Sequence, residues 1–210
     1  MADPKRRARD PQGVRLRLLE SARQRFGSSG LSGTSLDLIC RDAGVTKGAF
    51  FYHFTDKDDL IEHVIGAEAD RLRTAVAGAT LTGDAVDRVC GFVECLQQVA
   101  LGPENHVSLL GLAAVEGSSS PRIRAMCTAA WGALTAELAE LVETARRSER
   151  PTSTWDAERV AGLVIASYEG AWVLARASGD RGFVTTHLAV TRAWLRGLFG
   201  RGPFATAGPS

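Results

Sequence analysis

The sequence predicts an all-α protein: a small N-terminal three-helix unit followed by a larger helical domain. Three observations carry this. Apolar residues recur three and four apart through most of the 210 residues. Glycine, proline and hydroxyl residues punctuate those stretches where helices start and stop. No segment shows the strict alternation of a half-buried strand.

Val14, Leu18, Ala22 and Phe26 recur every four residues, with Leu19 beside them, and predict a first helix over 12–26. Gly27 ends it and GSSGLSG forms the loop. Arginines 15, 17, 23 and 25 ride the remaining surface and read mostly as solvated. The next stretch, LDLICRDAGVTKGAFFYHFTDK (36–57), organises the chain. Leu36, Ile39, Cys40 and Ala43 share one face of a helix over 35–43, which Thr34 can cap. Gly44 supplies the positive φ of a sharp turn. Thr46 can cap a second helix that carries Phe50 and Phe54 inward. Small Cys40, the glycine four later and apolar Phe50 six beyond it fit two helices crossing closely at a tight turn. Thr46, Ala49, Tyr52 and His53 then face outward with Lys47 in the exposed first turn, a set able to touch base edges and phosphates.

On these residues, and above all on AGVTKGAFFYHFTDKDDL, the stretch 14–65 resembles the helix-turn-helix of the TetR/AcrR family of transcriptional regulators. The resemblance implies that Thr34 and Ser35 touch phosphates. It implies base and backbone contacts from Thr46, Lys47, Ala49, Tyr52 and His53, and a phosphate clamp from Lys57. The family usually carries tyrosine at the position of Phe51, so one hydroxyl contact is missing. A helix-turn-helix domain over 13–56 is expected, with a helical ligand-binding and dimerisation domain over 57–199. Residues 1–12, with Lys5, Arg6, Arg7 and Arg9, read as a disordered basic arm that could lie in a minor groove. Residues 200–210 read as a disordered tail.

The net charge of +1 does not announce a nucleic-acid partner, but its distribution does. Residues 1–60 hold 11 Lys/Arg against 8 Asp/Glu, so the basic excess sits with the proposed reader.

Downstream, Thr55 or Asp56 starts a helix to about 79, with Leu60, Val64, Ala67 and Leu72 inward. A helix over 84–100 carries Val86, Val89, Cys90, Val93 and Leu96. A short one follows over 106–116. Ser120 and Pro121 open a helix to about 147, and Thr154 caps another over 155–178. The last spans 183–199. The final two are apolar on most sides: Ala161, Gly162, Ala166, Gly170 and Ala171 allow close approach, and Trp172, Leu174, Phe183, Val190 and Trp194 add bulk. A homodimer through these two helices, paired as a four-helix bundle, would cover them, and the resemblance implies a dimer of this kind. Such a dimer would read a palindromic operator in double-stranded DNA.

The resemblance further implies a small-molecule effector in the C-terminal domain that releases a repressor from its operator. The apolar helices point to a largely apolar one. Phe92, His106, Met126, Trp131, Tyr168, Glu169 and Trp172 are the candidates to meet it. Glu169 stands out as a carboxylate in an apolar helix.

An enzyme is not expected. His53, His63, His106 and His187 show no H-x-x-x-H spacing, no phosphate loop follows a strand, and no metal or cofactor is expected. Cys40, Cys90, Cys95 and Cys127 show no C-x-x-C spacing and read as small buried residues. A cysteine-based redox or electrophile sensor of the same fold is the alternative reading, against which Ser108 stands where such a thiol would lie. No apolar run reaches the ~20 residues of a membrane span, and no signal-peptide core appears, so a cytoplasmic protein without a membrane partner is expected.

Overall fold

The computed structural model describes residues 10–78, 82–102, 107–117, 120–151 and 155–201. Among them all regular structure is helical: α1 (Pro11–Ser29), α2 (Leu36–Ala43), α3 (Lys47–His53), α4 (Lys57–Gly78), α5 (Ala85–Leu101), α6 (Leu109–Glu116), α7 (Pro121–Glu149), α8 (Ala157–Ser178) and α9 (Gly182–Leu198). The all-α expectation holds, with boundaries shifted by one to three residues at most ends. His106, Thr154, residues 1–9 and residues 202–210 lie outside the described residues.

The described residues form two compact units. The first holds residues up to Asp70 together with Ser108–Thr128. The second holds Arg71–Val107 and Ala129 onward. The division falls inside α4 and α7, and α6 belongs to the first unit.

In the first unit, Asp10 caps α1 by accepting from the Gly13 N–H at 3.0 Å, and Pro11 begins the helix, where its missing N–H costs nothing. Pro11 and Gln12, read as part of a basic arm, are thus helical. Val14, Leu18, Ala22 and Phe26 are buried as their spacing requires. α2 buries Ile39, Cys40 and Ala43, while Leu36 stays half-buried. Its cap is Ser35, whose Oγ accepts from the Leu38 N–H at 3.3 Å, not Thr34. Gly44 turns the chain at φ 65°, ψ 40°, the left-handed region expected of it. A Cβ there would meet nothing within 4 Å, so the cost of a side chain is purely conformational. Gly44→Ala is expected to lower stability by about 1–2 kcal/mol, read from the urea midpoint. Phe50 and Phe54 are buried with ring centroids 5.5 Å apart, although Phe54 is the extended residue after α3 and not part of it.

α1 does more than pack. Ser21 Oγ donates to the Ile39 carbonyl at 3.0 Å and Arg17 Nε to that of Ala43 at 3.2 Å. The Ala43 carbonyl belongs to the last turn of α2, whose carbonyls lack partners within the helix, and the Ile39 carbonyl stands one turn earlier. Arg25 pairs with Asp42, and Arg15 lies over the Phe54 ring, 5.4 Å from its centroid. Three of the four arginines read as solvated therefore brace the hairpin.

In the second unit α9 packs against both α5 and α8. Val86, Val89, Cys90, Phe92, Val93 and Leu96 of α5 are buried, as are Leu138 and Val142 of α7. Asp156, not Thr154, caps α8 by accepting from the Arg159 N–H at 2.9 Å. Over an 18-residue window α8 reaches mean hydropathy 1.2, long and apolar enough by composition to cross a membrane, which corrects the expectation that no segment would. Its buried Val160, Ala161, Val164, Ile165 and Tyr168 are those of a packed core helix. Arg201, assigned to the tail, is held by Asp84 and Glu149.

Candidate nucleic-acid interface

The exposed side of α3 rests on the Phe50–Phe54 pair beneath it. Tyr52 is 77 % exposed, the most exposed large side chain with apolar surface among the described residues. Phe51 beside it is 56 % exposed, its ring edge-on to Phe50 at 5.3 Å. His53 is half-buried, edge-on to Tyr52 at 4.9 Å. Thr46 is exposed at the start of α3 and its Oγ1 accepts from the Ala49 N–H at 3.2 Å, so hydroxyl and cap are one feature. Ala49 is half-buried; its methyl leaves room for a base to approach.

Lys47 is exposed but not idle. Its Nζ lies 2.7 Å from Asp37 in the first turn of α2. That hydrogen bond, and then the carboxylate's charge, holds the ammonium above its ordinary pKa. An exposed pair of this kind is worth little to stability, and a phosphate could replace Asp37 as partner.

Two residues expected at DNA stand differently. Thr34 is buried, and its hydroxyl donates to the Gly30 carbonyl at 2.7 Å and to that of Arg25 at 3.3 Å. Its hydroxyl is thus engaged inside the loop. Lys57 is half-buried with its Nζ on the Leu31 carbonyl. It braces the loop before α2, and it would have to leave that acceptor to clamp a phosphate. Ser35 remains exposed at the N-terminus of α2.

Among the effector candidates, the structure joins three. Trp131 and Tyr168 lie edge to face at 6.4 Å, and Tyr168 and Trp172 at 6.4 Å and 90°. Tyr168 and Trp172 are buried and Trp131 is half-buried. The Trp172 Nε1–H is buried with no hydrogen-bond partner, a cost of about 1–3 kcal/mol that an acceptor would remove. Phe92 is fully buried and Glu169 half-buried in the same unit. Met126 belongs to the first unit, its Cε 3.7 Å from where Gly66 of α4 would carry a Cβ. A cleft of about 710 Å³ lined by Trp155, Arg159 and Trp194 takes in none of the candidates. The sequence offered no signal for it beyond two tryptophans.

None of the four cysteines stands in a disulfide. Burial pushes the Cys40, Cys90 and Cys95 thiols up. Reactive thiols need the opposite shift. No group of three or more His, Cys, Asp or Glu that could hold a metal occurs among the described residues.

An exposed polar and aromatic helix, set on a buried pair of phenylalanines and held by a glycine turn, is a helix-turn-helix reader in form. Residues 18–64 match the family model described as bacterial regulatory proteins, tetR family. Residues 88–186 match that of the transcriptional regulator LmrA/YxaF-like C-terminal domain. The transcriptional regulator AcrR of Shigella flexneri is 42 % identical over 55 residues, 26 % of each chain. The regulator UidR of Escherichia coli K12 is 26 % identical over 121 residues, 56 % of this chain and 58 % of that one. The chain thus matches about a quarter and somewhat over half of these two relatives' lengths. A TetR regulator from Chloroflexus aurantiacus superposes with TM-score 0.76 at 25 % identity, covering 88 % of this chain and 95 % of that one. The chain belongs to the TetR/AcrR family of transcriptional regulators.

Proposed function

We propose that this regulator binds a palindromic operator in double-stranded DNA as a homodimer, acts as a repressor in the cytoplasm, and is released by a small, largely apolar molecule. The observation that carries the proposal is the exposure of Tyr52 beside Thr46, Lys47 and His53 on a helix whose opposite side is locked by Phe50. Ser35, Thr46, Lys47, Ala49, Tyr52 and His53 are the proposed contact set. Thr46 and Ser35 would meet phosphates at helix N-termini, and Tyr52 and Ala49 would meet base edges.

Dimerisation is supported by the apolar surface on α8 and α9. Leu163, Val173, Leu174 and Val190 are all exposed although each lies in an apolar stretch. An exposed patch of this kind costs free energy unless something covers it, and a second copy does so with the same patch. Two readers related by a two-fold axis recognise half-sites about one helical turn, ~34–36 Å, apart. An effector then need only favour the state with the wrong spacing. The cluster of Trp131, Tyr168 and Trp172 is the proposed place for it.

Selection of bound sequences from a random DNA pool tests this reading. An enriched palindrome with half-sites one turn apart is the expected result. Enrichment of a single unrepeated half-site would remove the dimer from the reading, and no enrichment from refolded, ligand-stripped protein would remove DNA recognition altogether.

The Asp37–Lys47 pair gives a second check. Asp37→Asn frees Lys47 for phosphate and takes one negative charge off the face. Operator affinity should rise several-fold at low salt, and the salt slope should steepen by up to about 0.9 per protomer, measured by fluorescence anisotropy across a salt series.

A further inference from the structure

The loop from Gly30 to Ser35 feeds the N-terminus of α2, and it is held from two sides. From α4, Lys57 Nζ donates to the Leu31 carbonyl. From α6, Glu116 Oε2 accepts from the Ser32 N–H at 2.9 Å, across 84 residues of sequence. The rest of the loop is cross-tied by Thr34, whose hydroxyl donates to the Gly30 carbonyl, one residue before the Ser35 cap.

Glu116 is out of place by helix rules alone. It is the last residue of α6, where the carbonyl ends of the helix dipole disfavour a carboxylate. The loop, in turn, is shaped to receive it. Gly30 sits at φ +79°, and a Cβ there would come within 2.7 Å of Glu116 Oε1. Oε2 thus takes the Ser32 amide, while the whole carboxyl group, Oε1 nearest, occupies the space that a side chain at position 30 would need. The residue falls in the 88–186 stretch matched to the C-terminal family domain, yet it stands in the first compact unit.

We propose that Glu116 is a positioning residue for DNA recognition: its carboxylate fixes the Ser32 amide, and so sets the α1–α2 loop and the Ser35 end of α2 at the register the operator requires. The inference rests on the DNA-binding reading above. It also makes a prediction of opposite sign to simple electrostatics. Removing a negative charge from a DNA-binding unit strengthens phosphate binding, whereas releasing the loop weakens operator recognition.

The test compares Glu116→Ala, Glu116→Gln and the unaltered full chain by three readouts: affinity for the selected palindrome, affinity for a scrambled duplex of equal length, and amide hydrogen exchange at Ser32. In Glu116→Ala, Ser32 exchange is expected to quicken about ten-fold or more. Operator affinity should fall several-fold while affinity for scrambled DNA holds or rises. Glu116→Gln keeps an amide oxygen as acceptor and should restore both exchange and operator preference. Operator affinity that rises in parallel with scrambled DNA would overturn the proposal and leave Glu116 a mere repulsive charge. Faster exchange without any change in operator preference would also overturn it. If the unaltered chain selects no palindrome, the DNA-binding reading fails on its own; unchanged Ser32 exchange in Glu116→Ala would separately dismiss the latch.

Discussion

Tyr52→Ala is expected to abolish operator selection while leaving the fold intact. The side chain is 77 % exposed and its truncation opens no cavity, so thermal midpoint and helical circular dichroism should stay within the small range of surface substitutions. In the proposed dimer the loss on DNA counts twice, once in each half-site. At about 1–3 kcal/mol per contact, a dimer loses roughly 2–6 kcal/mol, or at least about thirty-fold in affinity. Non-specific binding, carried by charge and not by this phenol, should change little, so the ratio of operator to scrambled duplex collapses. An unchanged ratio would move the reading face off α3's exposed side.

Phe50→Ala is the complementary case, expected to act through the fold and not through contact. Phe50 is fully buried, edge-on to Phe51 and against Phe54. Truncating such a residue costs about 3–5 kcal/mol, transfer and cavity together. That is a large share of the 5–15 kcal/mol that holds a typical domain. The first unit should therefore melt well before the second, as a two-step thermal transition, and DNA binding should disappear with the first step. Phe50→Leu, which keeps most of the volume, should recover much of both. A single transition at the original temperature would mean that the hairpin's stability comes from the α1 bonds rather than from its phenylalanines.

The two variants also mark what the sequence could and could not reveal. Local rules found the hairpin. Apolar spacing placed Ile39, Cys40 and Phe50, and the positive-φ demand placed Gly44. What they missed are bonds whose partners lie far apart in sequence. Thr34 and Ser35 are both able to cap by residue type, with serine somewhat preferred, and the Gly30 carbonyl that takes the Thr34 hydroxyl leaves the cap to Ser35. Arginines 15, 17 and 25 look like any charged helix surface until Phe54, Ala43 and Asp42 arrive beneath them. Lys57 matches the family's phosphate clamp by pattern, and its bond to the Leu31 carbonyl, 26 residues away, carries no local signal.

The bonds from Ser21 and Arg17 carry one more implication. Both end on backbone carbonyls of α2, at Ile39 and Ala43, and neither involves a side chain that faces outward from α3. Any residue at those positions presents the same carbonyl. Apart from Thr46, which also caps α3, the frame that aims the reader is therefore indifferent to the letters that do the reading. Exchanging Ala49 and Tyr52 while Thr46 stays as the α3 cap, as when one paralogue's target is grafted onto another, should alter preference at little thermodynamic expense. Target choice can drift in such a scaffold through mutations that stability never vetoes.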